Sequence, residues 1–207
     1  LVPVFFGLAS GRILALSLPV IRAANQGNGG GASAVNNASR LMILPLELLA
    51  SGSAIAIFPA LSQLAARGET EEVRRQLSGV LRRTLKLLLI ATVALLVLAS
   101  PLVFLLLRYG KFSVADANFT AQVLQISALS LPALGAQQLL ARGFFALGDN
   151  ATPVKAGLGA MALFGVLALV SHFSHWGSLG ITGASVMSIC VLAAVLWKEL
   201  KKKLSDL

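Results

Sequence analysis

The feature that most constrains the fold is a long uncharged stretch in the C-terminal part of the chain. Between Lys155 and Lys198 there is no Asp, Glu, Lys or Arg. This stretch is too long for one membrane helix, which needs roughly 20 apolar residues to cross about 30 Å of hydrocarbon. Its middle, Ser-His-Phe-Ser-His-Trp-Gly-Ser at 171–178, is typical of an interfacial turn with a Trp anchor. It therefore predicts two spans, near 155–171 and 179–197.

The composition of the whole chain agrees with an integral membrane protein. Of the 207 residues, 57% are hydrophobic and 12% are charged, whereas a soluble domain carries about a quarter charged residues. The net charge is +9, but the basic residues lie between apolar runs rather than among aromatics on polar segments, which argues against binding to nucleic acid. The single cysteine, Cys190, excludes a disulfide scaffold and a multi-cysteine metal site.

Four further apolar segments bring the prediction to a single bundle of six transmembrane helices over residues 1–207, an all-α membrane protein. The two segments nearest the N-terminus contain charged residues, and the other two are free of charge over about 20 residues or more. The six spans lie near 1–23, 34–64, 86–107, 117–142, 155–171 and 179–197. Because the chain begins with Leu1 and lacks a signal-peptide pattern, we interpret it as an internal fragment of a longer multi-pass protein.

The distribution of Lys and Arg predicts the orientation, because basic residues concentrate in cytoplasmic loops. When alternate loops are assigned to opposite sides, one side holds only Arg108 and Lys111. The other side holds Arg67, Arg74, Arg75, Arg82, Arg83, Lys86, Arg142, Lys155, Lys198, Lys201, Lys202 and Lys203. We therefore expect the basic connector at 67–86 and the basic tail at 198–207 to be cytoplasmic.

The connector at 67–86 has a pattern of its own. Val73, Leu77 and Leu81 recur at helical spacing, and the arginines lie on other faces. The pattern fits an amphipathic helix lying on the anionic inner leaflet. It also fits a solvated connector that only follows the positive-inside rule.

No motif of an enzyme or of a cofactor site is present. The sequence contains no Gly-rich phosphate loop, no His-Glu-x-x-His and no nucleophile–base pair. His172 and His175 are three residues apart without a nearby carboxylate or Cys, so we interpret them as interfacial polar residues rather than metal ligands. We therefore predict that the protein is not an enzyme and has no cofactor.

The candidate binding residues are three charges inside predicted spans: Arg12 in the first, and Arg40 and Glu47 in the second. An Arg at the centre of a membrane helix costs roughly 2.5–3.5 kcal/mol on insertion scales, so it usually faces a polar cavity or a partner. In one interpretation Arg12 and Arg40 bind an anionic substrate, since guanidinium holds phosphate oxygens bidentately. In the other, Arg40 and Glu47, seven residues apart on one helical face, form a buried ion pair.

Three blocks of sequence carry a resemblance to a known family. The first is Asn-Ala-Ser-Arg-Leu-Met-Ile-Leu-Pro at 37–45, followed by Phe-Pro-Ala-Leu-Ser at 58–62. The second is Arg-Tyr-Gly-Lys-Phe-Ser at 108–113, and the third is Ala-Arg-Gly-Phe-Phe-Ala at 141–146, followed by Thr-Pro at 152–153. In content and order these blocks resemble the lipid II flippases called MurJ or MviN, which belong to the superfamily of multidrug, oligosaccharide-lipid and polysaccharide exporters.

The resemblance implies a two-lobed fold of fourteen helices around a cationic cavity, of which this chain is the six-helix core of the second lobe. The missing first-lobe helices of the same polypeptide would then be its partners. It implies the flipping of lipid II, an undecaprenyl-diphosphate-linked peptidoglycan precursor, by alternating access across the bacterial plasma membrane. Arg40 matches a cavity arginine of the family. Ser39 and Ile43 stand where relatives often have acidic residues, and Arg12 stands where they carry Gln or Asn.

Two alternatives to this function remain. One is another exporter of the superfamily, although a cation–drug antiporter needs intramembrane acids and only Glu47 qualifies. The other is a membrane scaffold or partial copy without transport activity, because a single lobe cannot form a cavity.

Overall fold

The computed structural model describes residues 30–107, 114–174 and 177–205, and these are helical apart from short turns. The order is α1 (Gly30–Leu46), a π-helical turn (Glu47–Ser51), α2 (Gly52–Ala66), α3 (Thr70–Leu107), α4 (Val114–Ala128), α5 (Leu131–Ala146), α6 (Ala151–Phe173) and α7 (Gly177–Ser205). The predicted all-α fold class is confirmed. The first predicted span, near 1–23 with Arg12, lies outside the described residues.

Four apolar runs in the described part are long enough to cross a membrane. They are Ala34–Ala66, which joins α1 to α2, and then Thr70–Leu106, Ala151–Ser171 and Leu179–Leu204. Helices α4 and α5 make a fifth run that bends by 42° where they meet. Pro132 lies in the first turn of α5 and has no N–H to donate to the preceding turn, which accounts for the break in the helix.

Helix α5 lies at the centre of the packing. It contacts α2, α3 and α7, while α1 packs along α4 and α6 packs along α7. Its side chains Leu139 and Phe144 are fully buried. On the outer helices, by contrast, large aliphatic side chains such as Val97 and Leu105 of α3 are exposed, as expected where lipid is the solvent.

Two glycines allow neighbouring helices to approach α5 closely. A Cβ at Gly135 would clash with Leu88 Cδ1, and a Cβ at Gly143 would lie 2.6 Å from Leu77 Cδ2 and 3.2 Å from Leu200 Cδ2. Contacts this short exceed what a packed core absorbs without shifts of its side chains. The glycines therefore set the spacing between α3, α5 and α7.

The basic connector is not a separate element, because α3 runs without interruption for 38 residues from Thr70 to Leu107. At 1.5 Å per residue the helix is about 57 Å long, against about 30 Å of hydrocarbon. Val73, Leu77 and Leu81 are buried in the protein's own core. The apolar face of this segment is therefore covered by the bundle itself, and the position of the segment relative to the membrane stays a prediction.

The C-terminal tail is likewise part of a helix. Helix α7 extends to Ser205, so the basic residues from Lys198 onward continue the helix of the preceding span. Leu200 is buried within this extension and packs against Gly143 of α5. The extensions of α3 and α7 therefore pack together at the same end of the bundle, over the last turns of α5.

Candidate functional site

Arg40 and Glu47 lie on the exposed side of α1 and the turn that follows it. The neighbouring Ala38 and Met42 are buried, whereas both charged side chains are exposed. Within the part of the chain that the structure describes, neither Arg40 nor Glu47 has a hydrogen bond or an ion pair. The buried Arg40–Glu47 ion pair is therefore not observed, and the guanidinium group of Arg40 is free to bind another group.

The surroundings of Arg40 are mostly aliphatic. Ile43, Leu44 and Leu48 are exposed on this side as well, and Leu48 is 78% exposed. A guanidinium group that faced only hydrocarbon would carry the insertion cost of a charge in a membrane, so Arg residues in spans face polar cavities or partners. This face of α1, with Arg40 and Glu47 about two turns apart, is the candidate binding surface.

The helix changes its winding at the end of this surface. Pro45 has no N–H to close the α-helical turn, and the N–H of Gly52 donates to the carbonyl of Glu47, five residues back, which is a π-helical hydrogen bond. Single π-helical turns inside helices occur frequently at functional sites. Glu47 begins this wide turn, and Ala50 within it is fully buried.

Helix α5 holds the π-helical turn in place. Ser51 Oγ donates to Gln138 Oε1 at 2.8 Å. Ala50 packs against Gly135, since a Cβ on this glycine would lie 3.4 Å from Ala50 Cβ. Neither Ser51 nor Gln138 stands out in the sequence as a functional residue. The signal that could have found them is that hydroxyl and amide side chains inside apolar spans tend to hydrogen-bond between helices.

Two other glutamines have different environments. Gln125 Nε2 donates to the carbonyl of Leu96 at 3.0 Å and joins α4 to α3. Gln137 is buried to 1% exposure, and both polar atoms of its side chain have no hydrogen-bond partner among the described residues. A buried amide without a hydrogen-bond partner costs free energy, so Gln137 destabilises the centre of the bundle.

The end of the bundle that carries the basic residues is held by local polar contacts. Asp149 Oδ1 accepts hydrogen bonds from the backbone N–H groups of Ala151 and Thr152, at 3.1 and 3.0 Å, and so caps the start of α6. Lys203 Nζ of α7 donates to Asp149 Oδ2. Burial raises the pKa of Asp149, but the hydrogen bonds from Lys203 and Thr152 outweigh it and lower the pKa from 3.8 to about 2. Asp149 is therefore charged at any physiological pH.

A second contact at this end joins α5 to α2. The guanidinium carbon of Arg142 lies 5.6 Å from the centre of the Phe58 ring, within the range of a cation–π interaction. As for metals, the described residues contain no group of three or more His, Cys, Asp or Glu that could hold an ion. The side chains of His172 and His175 lie outside what the structure describes.

The apolar helices and the charged face of α1 define a multi-pass integral membrane protein. Residues 4–206 match the family model described as lipid II flippase MurJ, and the chain belongs to this family. The probable lipid II flippase MurJ of Bdellovibrio bacteriovorus is 31% identical over 173 residues, which are 84% of this chain and 33% of that protein. The lipid II flippase MurJ of Burkholderia cenocepacia is 29% identical over 180 residues, 84% of this chain and 34% of that protein.

The fold is also that of a solved structure, a lipid II flippase MurJ in an inward closed conformation. The TM-score is 0.82 with 21% sequence identity, over 95% of this chain and 41% of that chain. This likeness confirms the predicted all-α fold. The chain thus spans about a third of the length of the curated relatives it matches.

Proposed function

We propose that the chain is part of a lipid II flippase, which moves an undecaprenyl-diphosphate-linked peptidoglycan precursor from the inner to the outer face of the bacterial plasma membrane. Membership of the MurJ family supports this substrate class. The observation that carries the proposal is the exposed guanidinium group of Arg40, which has no partner among the described residues, on a mostly aliphatic face within a span. Alternating access between two halves of a transporter would carry the headgroup across.

In this proposal Arg40 binds the diphosphate. Its planar fork accommodates two phosphate oxygens, and it keeps its charge at any working pH. Glu47, about two turns away, can accept hydrogen bonds from hydroxyl or ammonium groups of the same headgroup. Arg12 would supply a second positive charge from the preceding span. The remaining helices of the polypeptide would form the opposite wall of the cavity.

The orientation is part of the same proposal. The extensions of α3 and α7, which carry most of the basic residues, would lie in the cytoplasm, because basic loops are retained there. The opposite end of the bundle, which includes the turn between α6 and α7, would face the exterior.

The test is complementation of a strain depleted of its own flippase by the full-length gene. Arg40→Ala should fail to support growth, and Arg40→Lys should support it in part, because a single ammonium group keeps the charge but loses the bidentate geometry. A matched control is Arg74→Ala, since Arg74 is exposed and pairs with Glu71 on the surface of its own helix. Membrane levels of each variant are measured by immunoblotting.

Exposure of lipid-linked precursor at the outer face provides the second readout. Wild type should expose it and Arg40→Ala should not, at equal protein levels. Normal growth and exposure with Arg40→Ala would exclude the assigned role of Arg40. Failure of a well-expressed wild type to expose the precursor would exclude this substrate and point to another exporter of the superfamily.

A further inference from the structure

The basic residues at one end of the bundle differ in whether the protein itself neutralises them. Several are engaged internally by a carboxylate or an aromatic ring: Arg74 with Glu71, Arg75 with Glu72, Lys203 with Asp149, and Arg142 with Phe58. Arg82, Arg83 and Lys86 of α3 are all exposed. In the described ranges none of these three has a hydrogen bond or an ion pair.

The three charges are close neighbours on the helix. Arg82 and Lys86 are four residues apart and Arg83 and Lys86 are three apart, so their Cβ atoms are separated by roughly 5–6 Å. Like charges at these spacings repel each other and destabilise a helix. An anion bound between them would remove the repulsion. Earlier on the same helix, Arg74 and Arg75 have glutamates three residues before them that serve this purpose.

The three charges lie where the exposed face of α3 changes from basic to aliphatic. Leu81, Thr84 and Leu88 of the same turns are buried against the bundle, so the exposed residues face outward. Directly after Lys86 the exposed face becomes aliphatic, with Leu87, Leu89 and Ile90. A face that changes from basic to aliphatic within one turn is typical of a helix that passes from the headgroup layer into hydrocarbon.

Helix α7 also carries a pair of residues that is typical of a membrane interface. Leu200 of α7 and Leu77 of α3 both border Gly143, so the extensions of the two helices lie side by side. Trp197 lies one turn before Leu200, is about half exposed and is followed by the exposed Lys198. A Trp next to a basic residue is the usual composition of a membrane interface. An acidic protein partner would instead be expected to bind farther from the aliphatic surface. The arginines there, Arg74 and Arg75, are already paired with glutamates of their own helix.

We propose that Arg82, Arg83 and Lys86 form a binding site for the phosphate of an anionic phospholipid. The two guanidinium groups hold the phosphate oxygens, Lys86 adds a third positive charge, and the acyl chains lie against the exposed aliphatic side chains of the following turn. The bound lipid fixes the depth of α3 in the leaflet. This site is separate from the face that carries Arg40 and does not depend on the proposed transport activity.

The test measures binding of phosphatidylglycerol to the full-length protein, with phosphatidylcholine as the neutral reference. Retention of each lipid is followed by native mass spectrometry during titration from mixed micelles. The variant is Arg82→Gln with Arg83→Gln, and its matched control is Arg74→Gln with Arg75→Gln on the same exposed helix. Loss of two of the three charges should weaken phosphatidylglycerol binding by about tenfold or more, while the control should change it by less than about twofold.

Two further measurements distinguish a site from a general charge effect. Arg82→Lys with Arg83→Lys should fold like wild type and bind phosphatidylglycerol with intermediate affinity, because it keeps the charges but loses the bidentate geometry. Binding to wild type should weaken as salt is raised, and binding to the Gln variant should depend less on salt. Equal phosphatidylglycerol binding by wild type and the Gln variant would overturn the proposal. Equal losses in the Gln variant and in the control would overturn it as well.

Discussion

Lys203 Nζ lies 2.6 Å from Asp149 Oδ2, and this ion pair joins two residues that are 54 positions apart in the chain. Asp149 follows Gly148, whose φ of +73° lets the chain turn away from the end of α5. Asp149 then caps α6 through its other carboxylate oxygen. One carboxylate thus connects the end of α5, the start of α6 and the last turns of α7.

Asp149→Asn should therefore lower the stability of the protein at neutral pH by about 2 kcal/mol, because it removes the charge of the ion pair and weakens the cap. The pKa of Asp149 is lowered from 3.8 to about 2. Its contribution to stability is then complete above about pH 4 and is lost as the pH falls toward 2. Thermal unfolding midpoints of the detergent-solubilised protein across pH 7 to 2 provide the measurement.

A control for this pH dependence is Glu71→Gln, since Glu71 pairs with Arg74 on an exposed helix surface. Such surface pairs contribute about 0.3–0.5 kcal/mol, so the midpoint should hardly change. If the difference between wild type and Asp149→Asn stayed constant from pH 5 to pH 2, the assignment of this stabilisation to the charge of Asp149 would be wrong.

The contact between Gly135 and Leu88 predicts a coupled pair of substitutions. Gly135→Ala should destabilise the bundle by about 1–3 kcal/mol, because the new methyl group overlaps the buried end of Leu88. Leu88→Ala should cost about 2–5 kcal/mol by leaving a cavity. The double variant should lose less than the sum, because each change relieves the other. Thermal unfolding of all three variants measures the coupling.

The matched control for the glycine substitution is Gly159→Ala on α6. Among the described residues, a Cβ at Gly159 would have no side chain or distant backbone within 4 Å, so Ala should be neutral or slightly stabilising through its higher helix propensity. Strict additivity of Gly135→Ala and Leu88→Ala would mean that the two positions do not constrain each other.

Gln137 and Gln138 are adjacent on α5 but should respond in opposite directions to replacement by Leu. Gln137 is buried and its amide has no partner among the described residues, so Gln137→Leu should raise stability by about 1 kcal/mol or more. Gln138 accepts the hydrogen bond from Ser51, so Gln138→Leu should lower stability by about 1 kcal/mol. Loss of stability in both variants would contradict the conclusion that the buried amide of Gln137 destabilises the protein.

The membrane bundle could be predicted because hydropathy acts on each segment separately. Leu87–Leu107 is apolar enough to require a lipid environment whatever it packs against, and the structure has a helix there. The continuity of α3 could not be predicted in the same way. The apolar positions Val73, Leu77 and Leu81 indicate an amphipathic helix, but they do not specify whether lipid, water or another helix covers the apolar face.

The candidate site shows the same limit. The cost of a charge in a span identifies Arg40 and Glu47 as unusual, but it does not decide between pairing and exposure. The structure shows both side chains exposed. The contact between Ser51 and Gln138, which holds the π-helical turn that begins at Glu47, could not be predicted either. Contacts between residues 87 positions apart, such as this one, have no signature in local sequence.

The unbroken helix α3 extends well beyond its own apolar run. The segment from Thr70 to Lys86 projects about 24 Å beyond the start of the apolar run. A rigid rod of this length would swing its outer end by about 4 Å for a tilt of 10° about that point. Because Leu77 of this segment borders Gly143 alongside Leu200 of α7, such a tilt would carry the ends of α5 and α7 with it. At the N-terminal end of α3, a small rotation of the helix thus becomes a displacement large enough to detect with a pair of spin labels.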